Sequence, residues 1–194
     1  PEIKKHAQTE EATKNALVLP FLQLLGYDPF NPTEVCPEFT SDVGTKKGEK
    51  VDYAVMIDGD PVILIECKYS GSDLDNGQCN QLYRYFTNTS ARIGILTNGI
   101  EYRFFSDLDK TNLMDQKPFM ILDIENPEEV LIGELKKLAK EHFDLDATIS
   151  AANQLKYTRE IKKVLAAEIQ EPSEEFIRFF ASRAYSGRLT QQAR

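Results

Sequence analysis

Three ionisable residues interrupt one of the most apolar stretches of the chain. Asp52 lies near the start of one strand-like run, Glu66 and Lys68 lie at the end of the next, and Asp58-Gly59-Asp60 separates the two runs. Runs of this kind around a short Asp-Gly turn predict a β-hairpin. Burying two carboxylates and an amine is costly, so their presence in such strands indicates partners or a function. Glu66 and Lys68 share a strand face, and a hairpin that brings Asp52 level with Glu66 would gather all three.

Two carboxylates beside an amine would suit hydrolysis assisted by a divalent cation. Carboxylate oxygens of Asp52 and Glu66 can hold a hard cation such as Mg²⁺, with the backbone carbonyl of Cys67 as a further ligand. The cation would lower the pKa of a bound water and neutralise charge on a phosphoryl oxygen. Lys68 would orient or deprotonate that water, or stabilise the transition state. The alternative is a structural ion pair between Glu66 and Lys68 at a strand end.

The surrounding pattern predicts the elements that must position these side chains. We expect an α/β fold, with a mixed sheet of about four or five strands flanked by helices over residues 1–125 and a helical subdomain over residues 126–194. The lack of a stop signal at the end of that subdomain would fit continuation into a further region. The candidate strands are 34–39, 51–57, 62–67, 92–96, 102–105 and 119–124. The candidate helices are 10–25, kinked or shortened by Pro20, then 76 or 77 to 86, 127–142, 145–169 and 173–187.

Composition narrows the function classes. The chain has 194 residues, 41% hydrophobic and 28% charged, which is typical of a soluble protein with one good core. Its apolar runs are too short to span a bilayer, so no membrane partner is expected. Three cysteines without paired spacing indicate neither a disulfide framework nor a zinc site, and they favour the cytoplasm.

The charge balance bears on the choice of ligand. A net charge of −8 is unusual for a free-standing nucleic-acid binder, which normally carries a basic excess. Either the ligand is not nucleic acid, or basic residues cluster locally, or partner domains supply the affinity. Two local basic clusters could contact phosphate: Lys46, Lys47 and Lys50 before the hairpin, and Lys156, Arg159, Lys162 and Lys163 on a C-terminal helix. For each cluster the alternative is an ordinary solvated surface.

The ordered motifs resemble a known nuclease family. Val51-Asp52 followed by Ile65-Glu66-Cys67-Lys68 is similar to the PD-(D/E)XK signature, and more narrowly to the N-terminal nuclease domain of type I restriction enzyme R subunits. The resemblance covers roughly residues 8 to 125. Three further stretches carry it: Glu10-Glu11-Ala12-Thr13-Lys14 on the first helix, Gln81-Leu82-Tyr83-Arg84-Tyr85 as a Q-x-x-x-Y motif, and Arg92 to Gly99.

The resemblance implies roles at the metal. Asp52 and Glu66 would be ligands of Mg²⁺, with Mn²⁺ as a substitute, and Lys68 would be the catalytic lysine. Glu10 would be an accessory acid near the metal, and Glu11 is the competing assignment. The implied activity is that of a metal-dependent DNA endonuclease of restriction type.

The resemblance also implies a wider assembly. Gln81 and Tyr85 would approach the substrate backbone or brace the site. The partners would be DNA and helicase/translocase, methylase and specificity subunits or domains. Val51 stands where the wider superfamily often has Pro. The sequence also contains no G-x-x-x-x-G-K-[ST] loop, so no ATP site is expected in this chain. The rival interpretations are a non-catalytic nucleic-acid-binding or assembly module that retains the fold, and an acidic interaction protein.

Overall fold

A computed structural model describes residues 6–40, 50–75 and 77–184, and its centre is one mixed sheet. Six strands lie side by side in chain order, and all neighbours are antiparallel except the parallel third and fourth strands. They are β1 (Val35–Phe39), β2 (Val51–Ile57), β3 (Asp60–Cys67), β4 (Ile93–Thr97), β5 (Glu101–Phe105) and β6 (Met120–Asp123). The predicted α/β class is confirmed.

The strand count exceeds the predicted four or five because both weak edge segments pair. β1 contains Pro37, which lacks a backbone donor, and it lies at the edge of the sheet next to β2 alone. β6 is a strand of 4 residues at the opposite edge, next to β5. A proline and a short length are therefore tolerated at these two positions.

The predicted hairpin is formed by β2 and β3. Its turn places Asp58 at φ 53° and Gly59 at φ 88°, and positive φ at both central residues is the requirement of the tight hairpin turns that match strand twist. Tyr53 pairs with Ile65 and Ala54 with Leu64, and an irregularity lies between Val55 and Met56.

A helix crosses over between the parallel strands β3 and β4, as parallel pairing requires. It is α3 (Asn80–Thr87), which begins later than predicted because residues 77–79 form a turn. Asn76, the earlier predicted start, lies outside the described residues. Leu82, Tyr85 and Phe86 are buried in a cluster that includes sheet residues such as Leu64 and Leu96.

The N-terminal helix consists of three consecutive segments and packs against the sheet. These are α1 (Glu10–Thr13), a π-helical turn (Lys14–Val18) and α2 (Leu19–Leu24). Thr9 caps α1 by accepting the Ala12 N–H at 3.1 Å. Pro20 lacks an N–H and crowds the preceding turn, and the helix continues past it through the widened π turn. Phe21 stacks on Tyr102 of β5, with ring centroids 4.0 Å apart.

The remaining chain is helical but less regular than predicted. The predicted helix to residue 142 ends as α4 (Glu129–Leu135), followed by 3₁₀ turns at Lys136–Leu138 and Lys140–His142. Ala139 between them is extended, and this break lets the Lys140 N–H donate to the Leu25 carbonyl at 2.8 Å.

Contacts divide the chain into two units, Pro1–Asn153 and Gln154–Arg194. α5 (Leu145–Gln170) begins in the first unit, and the second unit contains α6 (Glu174–Ala184). The predicted end of the last helix, near Gly187, lies outside the described residues. The predicted domain boundary after residue 125 stays a prediction. Within the described residues, no helix has the length and apolar character needed to cross a membrane.

Candidate active site

The hairpin register brings the two carboxylates together. Tyr53 pairs with Ile65, so Asp52 and Glu66 occupy the next position on the two strands and share a face of the sheet. The charge of Asp52 acts on Glu66, which agrees with this placement. The observed pairing therefore places Asp52 level with Glu66, as expected.

Both carboxylate oxygens of Asp52 already have protein donors. Oδ2 accepts the backbone N–H of Cys67 at 2.7 Å, a contact that crosses from β2 to β3. Oδ1 lies 2.6 Å from Nζ of Lys14, on the N-terminal helix. Lys14 belongs to the motif on the first helix, but its contact with Asp52 was not predicted from the sequence.

Glu66 is more deeply buried and only half satisfied. Its side chain is 4% exposed, and Oε1 accepts from Nζ of Lys68 at 2.7 Å. Oε2 is buried and has no hydrogen-bond partner. Burial, followed by the charge of Asp52, raises the pKa of Glu66 to about 7 in spite of the ion pair with Lys68.

The acidic neighbours of Lys68 favour its charged ammonium form. Burial opposes its charge, but the hydrogen bond to Glu66 and the charges of Glu66, Glu10 and Asp52 outweigh burial and raise the pKa of Lys68. The pair is therefore unequal: the lysine gains from its acidic neighbours, whereas the more buried Glu66 also faces a second carboxylate. The raised pKa favours a role for Lys68 as a positively charged ammonium over a role as a general base.

Glu10 and Glu11 point to different parts of the site. Glu10 Oε1 lies 3.8 Å from Lys68 Nζ, so the predicted accessory acid is beside the predicted catalytic lysine. Glu11 Oε1 lies 2.8 Å from Lys14 Nζ and its side chain is 76% exposed. The geometry therefore favours Glu10 over Glu11 as the carboxylate nearest Lys68.

The Q-x-x-x-Y motif supports the strands from α3. Gln81 Nε2 donates to the backbone carbonyl of Lys50, two residues before Asp52. Tyr85 is fully buried in the cluster between α3 and the sheet. A buried tyrosine cannot reach a macromolecular substrate, so between the two predicted roles this arrangement favours bracing of the site.

The N-terminal helix is fixed to the sheet by buried contacts that the sequence did not predict. The Thr13 hydroxyl donates to the Ala7 carbonyl at 3.2 Å and accepts the Ser70 N–H at 3.0 Å. Gly99 has φ +79°, and a Cβ there would lie 2.7 Å from Cβ of Leu17. Helical spacing indicates that Lys14 lies next to Glu10 and Glu11, but it does not indicate the contact with Asp52.

The donor set fits a hard divalent cation at one point. A buried carboxylate oxygen without a hydrogen-bond partner, Glu66 Oε2, lies beside a second carboxylate, and a cation would satisfy that oxygen and relieve the repulsion. Within residues 6–40, 50–75 and 77–184, however, no group of three or more His, Cys, Asp or Glu side chains is placed to hold a metal.

The predicted basic clusters are only partly described. Lys50 pairs with Glu38 at 2.6 Å, whereas Lys46 and Lys47 lie outside the described residues. Lys156, Arg159, Lys162 and Lys163 lie on α5 in the second unit.

A comparison with protein families finds a match over the middle of the chain. The family model described as the type I restriction enzyme R protein N terminus matches residues 38–113. This segment is similar to the N-terminal part of R proteins. The segment contains Asp52, Glu66, Lys68, Gln81 and Tyr85, whereas Glu10 and the rest of the N-terminal helix precede it. No curated protein and no solved structure significantly matches the chain. The predicted resemblance to R-subunit N-terminal domains is confirmed.

Proposed function

We propose that the chain is a Mg²⁺-dependent DNA endonuclease domain of restriction type. The observation that carries the proposal is the buried, partly unsatisfied Glu66 between Asp52 and Lys68, inside the segment that matches the R protein N-terminal family. A structural ion pair alone does not require the second carboxylate, whose charge makes Glu66 harder to ionise.

Each residue has a role in phosphodiester hydrolysis. Asp52, Glu66 and the Cys67 carbonyl would hold Mg²⁺, which would supply a water of lowered pKa and neutralise phosphoryl charge. Lys68 presents a stable ammonium that stabilises negative charge on the reacting phosphate. Glu10 helps to keep that ammonium charged and positioned.

The supporting motif acts on the strands rather than on the phosphate. Gln81 holds the backbone just before Asp52, and Tyr85 fills the core beneath α3. Both residues therefore limit the movement of the carboxylates, and precise placement of reacting groups is a large part of hydrolytic catalysis.

The proposed setting is a larger restriction assembly in the cytoplasm. DNA is the substrate, and helicase/translocase, methylase and specificity subunits or domains are the partners. A chain of net charge −8 has little electrostatic attraction for DNA by itself, so partner domains would supply much of the affinity. The ATP-driven motor would also reside elsewhere, because this sequence contains no G-x-x-x-x-G-K-[ST] loop.

The test is cleavage of supercoiled DNA with Mg²⁺ by wild type and by Asp52→Ala. The matched control is Asp60→Ala, which removes an exposed carboxylate from the turn end of the same hairpin. The proposal predicts cleavage by wild type and the control and at least about a hundredfold slower cleavage by Asp52→Ala. Cleavage at the wild-type rate by Asp52→Ala would refute the assignment.

A non-catalytic nucleic-acid-binding or assembly module is the second candidate. Its supporting observation is that protein donors occupy both Asp52 oxygens. Calorimetry with Mn²⁺ separates the two functions. Uptake that requires Asp52 and Glu66 supports the nuclease, whereas no uptake together with salt-sensitive DNA binding supports the module.

A further inference from the structure

Lys14 lies at the position where Asp52 would meet a metal ion. The Cys67 N–H holds Asp52 Oδ2 at 2.7 Å, and this contact is part of the hairpin. The other oxygen, Oδ1, is held at 2.6 Å by the Lys14 ammonium. A backbone donor cannot leave without disturbing the strands, but a lysine side chain can. Lys14 is therefore the movable partner of Asp52.

This contact differs from an ordinary surface ion pair. The side chains of Lys14 and Asp52 are only 13% and 17% exposed, so solvent screens the two charges weakly. The helix that carries Lys14 is anchored on both sides of it, by Thr13 at Ser70 and by Leu17 against Gly99. The backbone of Lys14 is therefore held at a fixed distance from the carboxylate pair.

We propose that Lys14 is a tethered counter-cation that competes with the divalent metal for Asp52. In the metal-free protein its ammonium neutralises Asp52, and it yields Oδ1 when a metal binds. Lys14 is thus a positioning residue that sets the metal affinity of the site through Asp52. The inference rests on the proposed metal site and adds a residue that lies outside the matched segment.

Glu11 provides the partner for the displaced ammonium. Its Oε1 already lies 2.8 Å from Lys14 Nζ, and its side chain is 76% exposed. The ammonium can therefore keep one carboxylate partner while it leaves the other. This explains why two adjacent acidic residues on the same helix serve different functions, Glu10 at Lys68 and Glu11 at Lys14.

The charge of Lys14 fixes the sign of the expected effects. Without it, Lys68 is the ammonium that remains in contact with the carboxylate pair of the metal-free protein, and a metal meets less competition at Asp52. Lys14→Met should therefore lower the unfolding temperature in EDTA by about 5 °C. The same variant should bind Mn²⁺ about tenfold more tightly, because a positive charge next to a ligand has been removed.

The experiment is calorimetric titration of the 194-residue chain with Mn²⁺, together with thermal unfolding in EDTA. Lys14→Arg keeps the charge and should bind Mn²⁺ within about threefold of wild type. Glu11→Gln removes the alternative partner at an exposed position, and should weaken binding about threefold because Lys14 then holds Asp52 more firmly.

Each outcome decides a different point. Tighter binding by Lys14→Met together with lower metal-free stability supports the inference, because Lys14 then both stabilises the metal-free protein and opposes metal binding at Asp52. Should Lys14→Met not fold, Glu11→Gln decides alone, and unchanged affinity in that variant overturns the inference. A further outcome is that wild type binds Mn²⁺ in an Asp52-dependent manner and at least as tightly as Lys14→Met does. That result overturns the role of Lys14 and leaves the proposed function intact. No Asp52-dependent uptake by wild type overturns both.

Discussion

Glu66→Gln should make the metal-free protein more stable at alkaline pH. Burial and Asp52 raise the pKa of Glu66 from an ordinary 4.5 to about 7. Between these values the native state keeps a proton that the unfolded chain releases, so the free energy of unfolding falls as pH rises. At about 1.4 kcal/mol per pH unit, the ionised carboxylate costs the fold about 3 kcal/mol above pH 7. Glutamine resembles the protonated acid in shape and does not carry this cost.

The assay is urea unfolding of wild type and Glu66→Gln in EDTA at pH 4.5, 6 and 8. The variant's advantage should be near zero at pH 4.5 and grow to about 3 kcal/mol at pH 8. Asp60→Asn, at an exposed position of the same hairpin, should stay within about 0.5 kcal/mol of wild type at every pH. A Glu66→Gln variant that is equal to wild type or less stable at pH 8 would refute the reasoning, because the ion pair with Lys68 would then outweigh burial.

Two further substitutions test contacts that stabilise the fold. Gly99→Ala should destabilise the fold by about 2–4 kcal/mol in urea unfolding, because its Cβ would lie 2.7 Å from Leu17 Cβ at φ +79°. Gly59→Ala, at φ +88° with open space, should cost only about 1 kcal/mol, and equal costs would contradict the proposed clash. Asp107→Ala should cost about 3 kcal/mol in the same assay, because it leaves Arg92, now 2.6 Å away, without its buried partner. A loss below about 1 kcal/mol would show that this ion pair contributes little.

The hairpin could be predicted from the sequence because its determinants are local. Strand-forming runs on both sides of Asp58-Gly59 select the turn, and the period of two places Glu66 and Lys68 on one face. The crossover helix between β3 and β4 also follows from local pattern. The exact start of this helix could not be predicted, because turns and the first turn of a helix favour similar residues over a few positions.

The contacts of Lys14 could not be predicted in the same way. Asp52 is 38 residues away along the chain, and the contact depends on where the N-terminal helix packs on the sheet. The extended Ala139 is likewise a response to tertiary context. There the Lys140 N–H donates to the distant Leu25 carbonyl instead of continuing a helix.

The most direct test of the proposed chemistry is the rate of DNA cleavage by Lys68→Ala at a Mg²⁺ concentration that saturates the wild type. Lys68 supplies charge rather than a ligand atom, so calorimetry should still find Mn²⁺ uptake by this variant. Cleavage should nevertheless fall at least about a hundredfold, while Lys110→Ala, which removes an exposed lysine outside the site, should cut normally. Lys68→Ala that nicks supercoiled DNA as fast as wild type would contradict the account.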